Sequence, residues 1–461
     1  MTQILSFLLL SILTSLYFFP FEFVFFPGVN TKMALAGFGV VLLLFQLARQ
    51  QKSVINRDFF HLSLIAGLMS LIGFFAVTWN DTYDYTYATY IVSMWVWLSG
   101  AYVVTQAIKR IHGHISVELL CNYLIVVCVA QCLIAFAMTQ NPSLKNFIDS
   151  FLGSTGFMGK MENRIYGIGA SLDVAGSRFS VILVMIISIL MKISTTEKKK
   201  YIGFYFIAFF VIAVIGNMIS RTTTVGIIFA LVYLLYMSRI YTFQLNVNTL
   251  RILGWFIGIL LVIVVLMIYG YHTNLAFHKN LRFGFEGFFS LVEKGRWEVH
   301  SNEILKDMYV FPDNLKTWII GDGYFNGPDD VDPYYIGERW KVGYYKGTDV
   351  GYLRFIFYFG LMGLMAFCFF MCKVAKVCMN RFTSYRSLFL VILLLNFAVW
   401  FKVSSDIFLV FALFLCISEE DNQIEEQKSL SGKFSYISKF HILISYKLTI
   451  YIVMCFYQGT N

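Results

Sequence analysis

The residues able to do chemistry are charged groups at the edges of apolar runs. Arg221 sits in Ser220-Arg221-Thr222-Thr223-Thr224, a tight turn between two such runs. A guanidinium beside a helix start, with three threonines to cap it and N–H groups facing outward, makes an anion site suited to phosphate. The plainer alternative is an arginine that snorkels to lipid head groups. Upstream, Asn163-Arg164-Ile165-Tyr166-Gly167 and Asp173-Val174-Ala175-Gly176-Ser177-Arg178 lead into another apolar run. Gly167, Gly169 and Gly176 allow irregular backbone at a membrane face, tolerated only where it lines a cavity or packs on protein. Arg164 and Arg178 either face such a cavity or pair with loop carboxylates.

Further along, Gly295-Arg296-Trp297 opens a helical pattern over 297–309, with His300, Glu303 and Asp307, closed by Pro312 and Ile320-Gly321-Asp322-Gly323-Tyr324-Phe325. Thr348-Asp349-Val350-Gly351-Tyr352-Leu353-Arg354 then enters an apolar span. Asp349 has two readings: a partner for the helix dipole, or a carboxylate that a rigid helix holds against a substrate hydroxyl. No Walker loop, HExxH or Cys–His spacing is present. The 8 cysteines lie in or beside apolar runs and read as packing residues. No metal and no cofactor are expected.

These groups must be positioned by membrane helices. Of 461 residues, 58% are hydrophobic and 14% charged, against about 25% charged in soluble domains. Runs able to cross a hydrocarbon core of about 30 Å fall at 3–19, 33–48, 59–78, 88–108, 117–138, 176–193, 201–218, 222–238, 252–270, 350–371, 387–401 and 404–417. The fold class is thus an all-α polytopic membrane protein with about twelve spans and no internal repeat. The first run, without a basic leader or small-residue cleavage site, reads as a span. A cytoplasmic N-terminus places fifteen Lys and Arg, from Arg49 and Lys52 to Arg381 and Arg386, in inner loops, against Lys32, Arg221 and Lys402 in short outer ones. The +9 net charge therefore reports topology, and no nucleic-acid partner is expected.

Four regions follow: a bundle of about nine spans over 1–269 with an outer loop at 139–175, a large outer loop at 270–349, spans over 350–417, and an inner tail at 418–461 with a short interfacial apolar stretch at 441–457. The large loop, with Trp297, Trp318 and Trp340, is too aromatic for disorder and should fold.

Three stretches make the chain resemble the O-antigen ligase and polymerase superfamily of bacterial envelope enzymes: SRTTT at 220–224, GRWEVHSNEILKDMYVFPDNLKTWIIGDGYF at 295–325, and TDVGYLRFIFYFGLMGL at 348–364. Ligases of this superfamily typically place a His where this chain has Asp349, so the likeness is to the repeat-unit polymerases, with Val350 where a Ser is common. The resemblance implies a GT-C-like fold in the bacterial inner membrane and a metal-independent, inverting glycosyltransferase at the periplasmic face. Its donor would be a glycan on undecaprenyl diphosphate and its acceptor the terminal hydroxyl of another lipid-linked repeat unit, as in O-antigen, lipopolysaccharide or capsule assembly. Membrane lipid, a flippase and a chain-length regulator would be partners. Without a metal, fixed cations must meet the charge of the leaving diphosphate. Arg221 and Arg296 are the first choices, followed by Arg164, Arg178 and Arg282. Asp349 would orient or deprotonate the acceptor, with His300, Trp297 and Tyr352 lining the sugar site. A ligase using another acceptor is the nearer alternative, and a lipid-linked oligosaccharide flippase the further one; a flippase would want ionisable groups in mid-span.

Overall fold

A computed structural model describes residues 2–49, 57–153, 164–193, 201–239, 247–337, 343–418 and 421. The expected interfacial stretch at 441–457, most of the 418–461 tail and Trp340 lie outside the described residues. Among the described residues the chain is helical, with isolated β-bridges but no strand.

Each of the twelve apolar runs forms a helix: α1 (Thr2–Phe18), α2 (Thr31–Ala48), α3 (Arg57–Trp79), α4 (Tyr90–His112) and α5 (Val117–Gln140) come first. A short α6 (Pro142–Asp149) precedes α7 (Leu172–Ile193), α8 (Ile202–Ile219), α9 (Thr223–Met237) and α10 (Val247–Thr273). Local chemistry sets several starts: Asn30 accepts from Met33 N at 3.0 Å, Ser116 from Leu119 N at 3.1 Å, and Asn141, ahead of Pro142, from Ser143 N at 3.0 Å. The large loop folds into α11 (Leu275–Gly284), α12 (Glu286–Lys294), α13 (His300–Asp307), α14 (Leu315–Ile319) and α15 (Pro328–Val331). Then come α16 (Gly351–Arg381), α17 (Arg386–Val399) and α18 (Phe408–Leu415).

Eight of these, α2, α3, α4, α5, α7, α8, α10 and α16, are long and apolar enough to cross a membrane. That is the build of a multi-pass membrane protein. At 1.5 Å per residue, the 8-residue α18 rises only about 12 Å and cannot cross alone. The bundle is ordered by burial. Along α7, Val181 through Ile187 are all essentially inaccessible, whereas α10 exposes Trp255, Leu261, Val265 and Tyr269. An apolar surface of that kind suits lipid. Around α7 pack α5, α8, α9 and α17, while α16 lies on α3 and α18 on α4.

The large loop is keyed into the bundle through a break in α16. Phe359 and Gly360 leave helical geometry (Gly360 φ +66°), so carbonyls above the break lose their helical partners. Phe357 O accepts from Asp322 N at 2.6 Å and Tyr358 O from Gly323 N at 3.1 Å. A Cβ on Gly360 would lie 2.0 Å from Ile319 O, so only glycine fits. Asp84, between α3 and α4, closes the far side, accepting from Phe325 N and Asn326 N at 2.8 Å each. The Gly321-Asp322-Gly323 run is therefore a docking element.

Candidate functional site

Charged side chains from several elements converge at one end of the bundle, around the turn between α8 and α9. Gly176 of α7 makes the approach possible, since a Cβ there would come within 2.5 Å of Ser220 Oγ. The hydroxyls of Ser220 (2.9 Å) and Thr222 both donate to Oδ1 of Asp173, in the first turn of α7. Lys402, from the α17–α18 loop, donates to the same oxygen at 3.0 Å and to Thr222 Oγ1 at 3.0 Å.

Arg221 points the other way, into the large loop. Its Nε donates to Phe283 O at 3.0 Å and its Nη1 to Ser301 Oγ at 2.9 Å. Nη1 also lies 2.7 Å from Glu286 Oε2, and the guanidinium sits 4.2 Å from the centre of the Phe283 ring. Arg164 approaches the same ring at 5.3 Å. Burial lowers the Arg221 pKa, Glu286 opposing and Arg164 reinforcing. An open cavity of about 560 Å³ lies alongside, lined by Arg221, Phe283, Glu286 and His300 among others.

The expectation of free N–H groups at the start of α9 is corrected. Thr223, Thr224 and Val225 donate their N–H groups to Ser220, Arg221 and Thr222 carbonyls at 3.0, 3.0 and 3.1 Å. The Thr223 and Thr224 hydroxyls turn back to Gly216 O and Asn217 Oδ1. The anion-binding capacity of this turn rests on side-chain cations.

Asp349 does not cap α16. The N-cap is Val350, with no side-chain cap bond, and Val350 N is taken by Thr348 Oγ1 at 3.2 Å. Among the described residues nothing donates a hydrogen bond to the Asp349 carboxylate. Burial raises its pKa and the charge of Asp173 adds to the rise, while Arg354 and Lys402 oppose it. Arg354 is 6% exposed and lies between the rings of Phe325 and Tyr344, 3.6 Å from each. It donates to Ser404 Oγ at 2.7 Å and Phe325 O at 3.2 Å, and no carboxylate among the described residues pairs with it directly.

Arg221, Arg282 and His300 thus line one cavity, Arg164 shares the Phe283 ring with Arg221, Asp349 is coupled by charge to the neighbouring Lys402–Asp173 pair, and the other expected residues lie elsewhere. Arg178 turns inward to α1, donating to Phe18 O at 2.5 Å between the Phe18 and Phe19 rings. Arg282 makes a two-bond pair with Glu293 at 2.8 Å. Arg296 is exposed and pairs with Glu298 at 2.5 Å. Trp297 covers Gly287 and packs on Phe288 at 5.0 Å. Tyr352 donates to Phe397 O at 2.9 Å and packs on Trp400 and Phe401. His300 lines the cavity, with its backbone N–H directed to Glu286. Asp173, Arg354, Lys402 and Glu286 join the site without having been singled out. Their signal was that Asp173 and Arg354 fall inside the motifs around Arg178 and Asp349, and that Lys402 is a basic residue in a short outer loop.

Comparison with protein-family models, curated proteins and solved structures gives no match to this chain.

Proposed function

We propose that the protein is a polysaccharide polymerase of the bacterial inner membrane. It would transfer a glycan from undecaprenyl diphosphate to the terminal hydroxyl of another lipid-linked repeat unit at the periplasmic face. In this reading the apolar helices build a GT-C-like membrane bundle, the N-terminus is cytoplasmic, and a flippase and a chain-length regulator work beside it. The observation that carries the reading is Asp349: a half-buried carboxylate that accepts no hydrogen bond among the described residues, coupled by charge to the Lys402–Asp173 pair beside the Arg221 turn.

The chemistry assigned to these groups is an inverting displacement. The acceptor hydroxyl oxygen attacks the anomeric carbon and its proton passes to Asp349. The bond from that carbon to the diphosphate oxygen breaks, and the electron pair leaves with undecaprenyl diphosphate. A raised carboxylate pKa makes Asp349 a better base at neutral pH than a solvated aspartate. Arg221, with Arg164 near the same Phe283 ring, meets the leaving charge; each cation–phosphate contact at about 4 Å is worth roughly 4 kcal/mol at an effective dielectric near 20. A diphosphate at Arg221 would compete with Glu286, which pairs with the guanidinium at 2.7 Å.

The test is the glycan made by cells lacking the gene. Polymerase function requires single repeat units on the lipid core, restored to a ladder by the wild-type gene and not by Asp349→Asn. Complete absence of polysaccharide from the core would instead mark a ligase, and unaltered ladders would end the reading.

A further inference from the structure

We propose that Lys402 is a positioning residue of this site: its ammonium ties the arginine turn to the loop that cradles the start of α16, and it sets the charge balance around Asp349. The proposal rests on the polymerase reading above.

The geometry comes from two unrelated parts of the chain. Lys402 Nζ bonds Asp173 Oδ1 and Thr222 Oγ1, each at 3.0 Å, and so grips the residues on either side of the α7–α9 contact. The same loop receives the first turn of α16. Trp400 O accepts from Tyr352 N at 3.2 Å, Ser404 Oγ accepts from Arg354 at 2.7 Å, and a Cβ on Gly351 would lie 2.6 Å from Val403 O. Arg221 and Asp349 therefore hang from one short loop, with Lys402 as its ionic attachment to the arginine side. The Lys402–Asp173 pair is a quarter to a third exposed, and pairs of that exposure add little to stability. Its consequence is electrostatic.

Three charged groups act on the Asp349 carboxyl through their charge without bonding it: Asp173 from α7, Lys402 from the α17–α18 loop and Arg354 from α16 itself. Arg354 is locked between two rings. Lys402 and Asp173 offset one another. Without Lys402, Asp173 keeps the Ser220 and Thr222 hydroxyls but loses its ion-pair cation, and both the missing cation and the less balanced anion favour the protonated form of Asp349. Removing Asp173 as well restores the balance of charge without restoring the bridge.

The experiment follows chain elongation against pH, with purified full-length protein in lipid nanodiscs. The probe is the lipid-linked glycan extracted from cells lacking the gene. A base must be unprotonated, so the wild-type rate falls on the acid side. Lys402→Met should move that acid limb upward by about one pH unit, roughly a tenfold loss at a fixed pH on the limb. Lys402→Arg should leave the limb in place, and Asp173→Asn/Lys402→Met should return it toward wild type. A Lys402→Met profile lowered equally at every pH, or a double variant no better than the single one, would make the bridge structural only and overturn the proposal. So would Lys402→Met protein that fails to fold while Lys402→Arg folds, or a Lys402→Met profile equal to wild type. Absence of elongation by the wild-type protein would instead overturn the polymerase reading, and this proposal with it, a failure seen with Lys402 intact.

Discussion

Replacement of Asp349 by asparagine sets catalysis and stability against each other. A helix cap is worth about 1 kcal/mol, but that energy is not at stake, since Val350 occupies the cap position and Thr348 Oγ1 takes its N–H. Burial, chiefly, holds the carboxyl above its ordinary range. A group whose folded pKa is raised contributes stability that is fully present below its unfolded value, about 4 for aspartate, and lost as pH rises through the folded value. Asparagine carries no such penalty. The variant should therefore equal or exceed wild type in stability at pH 7, with the gap closing near pH 4. Activity should move oppositely: a general base contributes typically 10²–10⁴-fold, or about 3–5 kcal/mol of barrier. Asp349→Glu should keep a trace at most, because a displacement of about 1 Å costs roughly 10²-fold. Glycan ladders from complemented cells give the first quantity, and thermal inactivation of purified protein at pH 4.5 and 7 gives the second. A wild-type ladder from the asparagine variant refutes the base role. A loss of stability at pH 7 would instead mean that the ionised carboxylate stabilises the start of α16 through the helix dipole.

Arg221→Ala should abolish elongation at near-normal protein levels and Arg221→Lys should rescue poorly, because three partners use the guanidinium fork at once; full activity of the lysine variant in the ladder assay would sink the diphosphate role. Arg296→Ala serves as the contrast, since its exposed pair with Glu298 should cost little activity. Gly360→Ala should destabilise by about 1–3 kcal/mol from backbone strain alone and more from the Ile319 carbonyl in its path, read as lost thermal stability; a neutral result would mean that the break in α16 does not hold the large loop. Reporter fusions within 270–349 and at 150–165 should read periplasmic and those at 196–200 and 425–435 cytoplasmic, and an inverted result at either long loop would put Arg221 and Asp349 in the wrong compartment.

Helix positions were legible because apolar length is a local property. All twelve runs are helices, and α7 and α10 differ little as strings of letters although one is enclosed and the other bare. Which helix is central depends on neighbours, which periodicity does not name in a chain apolar on every face. The break in α16 was equally hidden: Phe359-Gly360 is an unremarkable pair until Ile319 and Asp322 arrive from 40 residues earlier. The folded state of the large loop was readable from its aromatic content, and the helical pattern over 297–309 appears as α13 at His300–Asp307.

The site was readable only as far as charges reveal their cost one at a time. Arg221 and Asp349 stood out because a charge at a membrane boundary needs a reason, and both lie on the network. Arg296 and Arg282 stood out for the same reason and do not, because the carboxylates that satisfy them are close in sequence, Glu298 two residues on and Glu293 eleven. Lys402 finds Asp173 across 229 residues, Arg221 reaches Ser301 across 80 and Arg354 reaches Ser404 across 50. A cation satisfied by its own loop needs no particular fold around it. One whose partners come from distant helices is held in place only when those helices pack correctly, so its geometry is as fixed as the bundle. Fixed geometry is what stabilising a developing charge requires, so under the proposed mechanism Arg221, Lys402 and Arg354, whose partners come from distant parts of the chain, carry more weight than Arg296 and Arg282, whose carboxylates are local.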